Sequence, residues 1–118
     1  MPMGILRPTK LFGSPRRTDL LVLLSLLEES YPSELERLLG ITKPGVVYIV
    51  DDLEVEGVVV SRRLGRTRRI SLDPRYFAAR ELKALLDKLA QGDARLQEIA
   101  ASRRARPRRQ GKGKGKEQ

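Results

Sequence analysis

A chain of 118 residues is long enough for one domain with a modest core, and its 24 Lys and Arg against 15 Asp and Glu leave a net charge of +9. A balance this basic suits a polyanionic partner. With no Cys and no His, disulfides and nucleophile–imidazole catalysis are excluded, and a zinc site would lack its usual ligands, so neither an enzyme nor a cofactor is expected.

Residues 1–10 read as an N-terminal extension without the apolar run of a leader. Ser14-Pro15 is a helix start: a side-chain cap, then Pro where its missing N–H costs nothing. Leu20, Leu23, Leu24 and Leu27 follow at helical spacing, and Leu21, Val22 and Leu26 widen the apolar surface. A helix so apolar is expected to be covered on two sides, by its own domain and by a partner subunit. At eight residues the run is too short to span a membrane, which needs about 20.

Tyr31-Pro32 breaks the helix, and Ser33 with Glu36 forms a capping-box pattern that predicts a second helix over 33–39, closed by Gly40. Thr42 caps a third helix running to about residue 56, with Val46, Val50 and Leu53 inward and Gly57 as its stop. Segments 58–63 and 67–72, separated by Leu64-Gly65-Arg66, read as a β-hairpin, with Arg68 near its tip expected to project beyond the core. A last helix is expected over 76–90, where Ala78, Leu82, Leu85 and Leu89 recur at heptad-like spacing and Leu86 widens the stripe. It is expected to pair with a second subunit or to pack back onto its own domain. Residues 93–101 are expected to continue helically with Leu96 and Ile99 inward.

The expected fold is mainly α with a small β-hairpin: a winged helix-turn-helix domain over 11–90 that includes a C-terminal dimerisation helix. A helical extension over 91–102 and a disordered basic tail over 103–118 follow. Charge is uneven along this plan. The hairpin carries Arg62, Arg63, Arg66, Arg68 and Arg69, and the tail carries Arg103, Arg104, Arg106, Arg108 and Arg109. The third helix runs the other way, with Lys43 facing Asp51, Asp52, Glu54 and Glu56.

Several motifs carry a family likeness. Leu11-Phe12-Gly13-Ser14-Pro15-Arg16-Arg17 resembles the opening of arsenical-resistance-repressor-like (ArsR-type) winged-helix regulators. The stretch 31–41 resembles their second helix and turn, and 52–59 their third-helix end and first wing strand. Leu72-Asp73-Pro74-Arg75-Tyr76 with Glu81-Leu82 is similar to a subgroup associated with nucleotidyltransferase proteins. The resemblance spans about residues 11–89. It implies a homodimer that binds double-stranded DNA and represses transcription; from the lack of a leader-like or membrane-spanning run, a cytoplasmic, nucleoid-associated protein is expected. Metal sensing does not carry over, because the sensor thiolates and imidazoles have no counterpart here.

By position, Thr42, Lys43, Pro44, Val47, Tyr48 and Asp51 then face the major groove, while Arg62, Arg63, Arg66, Thr67, Arg68 and Arg69 approach phosphates, joined by the five arginines of the tail. Leu82, Leu85, Leu86 and Leu89 form the expected dimer seam. Asp51 and Asp52 either repel phosphates or point to solvent, so the expected binding leans on the DNA backbone with modest sequence specificity. The alternative is a protein-interaction module in which Val47, Tyr48 and Ile49 form an exposed apolar patch and the tail alone gives nucleic-acid affinity.

Overall fold

The computed structural model describes residues 10–105, the side chains of the last two excepted. Five helices and one hairpin follow in the order α1 (Pro15–Leu27), α2 (Pro32–Leu39), α3 (Lys43–Val55), β1 (Val59–Leu64), β2 (Thr67–Leu72), α4 (Ala79–Gln91) and α5 (Ala94–Ala105). This is a mainly α winged helix-turn-helix fold.

The central helix α1 begins where its caps dictate. The Ser14 Oγ accepts from the Arg17 backbone N–H at 3.1 Å, and Pro15 occupies the first turn. Its leucines make the middle of the core: Leu20, Leu21, Val22, Leu23 and Leu24 are all buried. The covering comes from within the chain. Helices α4 and α5 pack against α1, with α2 and β2 on its flanks. The expected partner subunit is therefore not what covers the second apolar face.

The start of α2 differs from the capping-box expectation. Tyr31 is the cap residue, Pro32 takes the first helical position, and no side chain caps the helix; Ser33 lies inside it, exposed. Pro at the first position is already preorganised for a helix, which moves the boundary one residue upstream. Gly40 ends the helix at φ 71°, a left-handed conformation that costs a residue without Cβ nothing. Thr42 then caps α3, its Oγ accepting from the Gly45 N–H at 3.2 Å. Val46, Val50 and Leu53 turn inward, with Ile49 beside them.

The hairpin pairs Leu64 with Thr67 across a two-residue turn, Gly65-Arg66, whose φ of 63° at Gly65 suits the twist of antiparallel strands. Ile70 is buried, and its backbone exchanges two hydrogen bonds with Ser30, at 2.8 and 2.9 Å, so the hairpin is tied to the α1–α2 junction. Beyond Leu72 the chain makes two turns, Tyr76 N–H to Asp73 and Ala79 N–H to Tyr76, before α4 starts three residues later than expected.

Buried Asp93 caps α5 by accepting from the Leu96 N–H at 3.0 Å. Arg95 joins Asp93 to Asp19 of α1, and this pairing, led by the Asp19 hydrogen bond, raises the guanidinium's pKa. Helix α5 runs on to Ala105, past the residue where the charged tail was expected to begin.

Candidate nucleic-acid interface

Helix α3 offers solvent one face, made by the residues between its inward positions. Thr42, Lys43, Pro44, Tyr48 and Asp51 are exposed and Val47 is half-buried, with Tyr48 standing 71% exposed at the centre. Of the apolar patch Val47-Tyr48-Ile49 that an interaction module would use, Ile49 is buried in the core.

The carboxylates of α3 do not stand alone. Arg68 leans inward from β2 rather than projecting from the hairpin tip, and is only 19% exposed. Its Nη2 bridges Asp51 Oδ1 at 2.8 Å and Glu54 Oε1 at 2.9 Å, and its Nε donates to the Ser61 hydroxyl at 3.0 Å. The strand period explains this: Arg68 shares a hairpin face with buried Ile70, and that face lies over α3. Asp52 is held by Arg17 of α1 at 2.6 Å. Ion pairs like these, each with one partner well open to solvent, add little stability, about 0–1 kcal/mol each. Their larger effect is on the field: the acidic charge on α3 is screened at short range by cations of its own fold.

The hairpin arginines divide into three kinds. Arg63 and Arg66 are exposed and make no ion pair or hydrogen bond among the described residues. Arg62 pairs with Glu29 at 2.6 Å, an exposed contact that phosphate could displace. Arg69 lies on the opposite hairpin face from Arg68, its guanidinium 5.5 Å from the Tyr31 ring centre in a cation–π contact. Thr67 is exposed beside the turn. Lys43 on α3 and Arg63 and Arg66 at the hairpin end are thus exposed cations without an ion pair among the described residues, while Arg68 offsets one of the two carboxylates it bridges.

Arg103 has a different place from the one expected. Within α5, its Nη2 donates to the Leu27 carbonyl at 3.0 Å, and its Nη1 reaches the Glu29 carbonyl at 3.2 Å and Glu34 Oε1 at 3.4 Å. Glu34, 3% exposed, also accepts from the Ser30 hydroxyl at 2.6 Å. Arg103 is therefore a tie between α5 and the α1–α2 junction. The Arg104 side chain and Arg106, Arg108 and Arg109 lie outside what is described.

The expected seam on α4 is split. Leu86 is fully buried against the chain's own core, Leu82 and Leu89 are half-buried against it, and Leu85 is 41% exposed. Sequence reading missed Arg17 and Glu29 as partners of the interface, because they are paired with residues 35 and 33 positions away.

No helix among the described residues is long and apolar enough to cross a membrane. A family model, that of the MarR family, matches residues 14–70, the stretch from the α1 cap into β2. The chain is thus similar to a family of winged helix-turn-helix regulators over its first four elements and part of the fifth; the match does not single out the arsenical-resistance-repressor type. No curated protein and no solved structure matches it.

Proposed function

We propose that this chain is a DNA-binding transcriptional regulator, acting as a repressor and as a homodimer. In this reading α3 enters the major groove and the hairpin acts as a wing on the flanking phosphates. The observation that carries it is the pairing of Asp51 and Glu54 with Arg68 and of Asp52 with Arg17. That pairing offsets the repulsion an acidic helix would meet at DNA, and leaves Tyr48 and Val47 as an apolar reading surface suited to thymine methyl groups. Lys43, Arg63 and Arg66 supply phosphate contacts, and the tail arginines Arg104, Arg106, Arg108 and Arg109 add affinity without sequence preference. The motif resemblance extends this to an ArsR-type regulator that has no metal site.

The test compares the full chain with one ending at Ala105, which retains all of α5. Each is titrated with random duplex and with the DNA upstream of its own gene at several salt concentrations. A shortened chain that still prefers the upstream DNA supports a sequence-reading regulator. Loss of all binding on shortening assigns the affinity to the tail, and the reading changes to a protein-interaction module.

A further inference from the structure

Beneath the hairpin base, between α1 and α4, lies an open groove of about 650 Å³. Leu24 and Ser25 of α1, Val58, Leu72 and Leu82 supply its walls. At its rim stands Phe77, 91% exposed and held edge-on against Tyr76 with ring centres 5.1 Å apart. A phenylalanine so exposed forgoes the burial that normally places this side chain in a core. Its position follows from the two turns between Asp73 and Ala79, which set Tyr76 against the core and leave Phe77 exposed before α4 begins.

We propose that the groove receives Phe77 from a second copy of this chain, in a twofold exchange that forms the dimer seam. Knob and hole lie side by side on one face, which is the arrangement an isologous interface requires: each copy fills the other's groove. The rim charges are self-complementary as well. Glu28, Arg80 and Glu81 line the groove, carry both signs, and make no ion pair among the described residues. A twofold axis can bring Arg80 of one copy to the acidic rim of the other. The buried Phe77 then serves as the aromatic anchor of the interface. This places the seam at the start of α4 and the preceding turn, keeping Leu82 of the expected stripe in the groove wall and leaving Leu86 to the core that already uses it.

The inference rests on the dimeric part of the reading above, and sedimentation of the full chain without DNA separates the two. The wild type is expected to be a dimer. Phe77→Ser is expected to weaken dimerisation about tenfold or more while its far-ultraviolet circular dichroism stays that of the wild type, because the ring lies outside the core of the single chain. Ala79→Trp, which fills the groove wall, is expected to weaken it similarly. An equal mixture of the two variants should recover dimer, since the serine variant's open groove can accept the other variant's Phe77. A wild-type dimer indifferent to Phe77→Ser, or a mixture no tighter than its parts, overturns the exchange alone. A monomeric wild type overturns the dimer reading and the exchange with it.

Discussion

The guanidinium of Arg103 donates to the carbonyl of Leu27 at 3.0 Å, joining α5 to the last residue of α1. A helix leaves its final carbonyls without intrahelical partners, and a cation there also meets the negative end of the helix dipole. The same side chain contacts the buried Glu34 carboxylate. Arg103→Ala removes all three contacts and is expected to destabilise the fold by about 1–3 kcal/mol, the usual cost of stranding buried acceptors. Arg103→Lys should recover only part, because an ammonium lacks the planar fork that reaches separate acceptors. Denaturant unfolding of the three proteins measures this; equal midpoints would remove Arg103 from the fold's framework.

Arg66 and Arg68 are two residues apart yet should respond differently. Arg66→Ala takes away one exposed cation, so duplex affinity should fall and the log–log salt slope should flatten by about one. Arg68→Ala uncovers Asp51 and Glu54, so affinity should fall through repulsion. Converting Asp51 to Asn and Glu54 to Gln in that background should then restore much of it. Fluorescence anisotropy over a salt series distinguishes the two, and failure of the restoring pair would refute the screening role of Arg68.

Tyr48, at the centre of the exposed α3 face, is suited to reading bases. Tyr48→Ala is expected to leave stability within about 0.5 kcal/mol, as for most surface changes. Its effect should appear as reduced preference for the upstream DNA over random duplex. Undiminished preference in a competition titration would move sequence reading away from this face.

Neighbouring leucines on α4 offer an internal contrast. Leu86→Ala opens a cavity in a fully packed site and should cost about 2–5 kcal/mol. Leu85→Ala, at a position 41% exposed, should cost much less. Thermal melts of the pair provide the check, and similar losses would mean that α4 packs with a different face inward.

Asp73 supplies a pH signature. Its carboxyl is held below its ordinary value, first by the Arg75 backbone N–H and then by the Arg75 side chain. A depressed folded-state pKa contributes stability above the unfolded value, near 3.8, that is lost as pH falls through the folded value. Asp73→Asn should therefore narrow the stability difference between neutral and acid conditions. Unfolding midpoints measured from neutral pH downward test the sign; an acid limb unchanged by the substitution would contradict it.

Much of the fold is legible in local chemistry. Ser14-Pro15, Thr42, Gly40 and Gly65 each act within a few residues of themselves, so their helix caps, stop and turn follow from sequence alone. The 3.6-residue period likewise separates Tyr48 and Asp51 from Val46 and Val50 on α3. Ser33 misled because a Pro at the first helical position outcompetes a side-chain cap one residue later. Partnership was not legible in the same way. Asp51 is paired from β2, Asp52 from α1, and the α1 terminus is held by a residue 76 positions away. The apolar faces of α1 state that they must be covered, but not by what; α4 and α5 of the same chain cover them. Sequence by itself determined the order of the elements and the inward and outward faces of α3, because those depend on backbone geometry repeated at short range, whereas Arg68 and Leu86 turned inward against expectation. Only the tertiary structure decided which charges remain free for a partner, because that depends on distances between segments that the chain order does not contain.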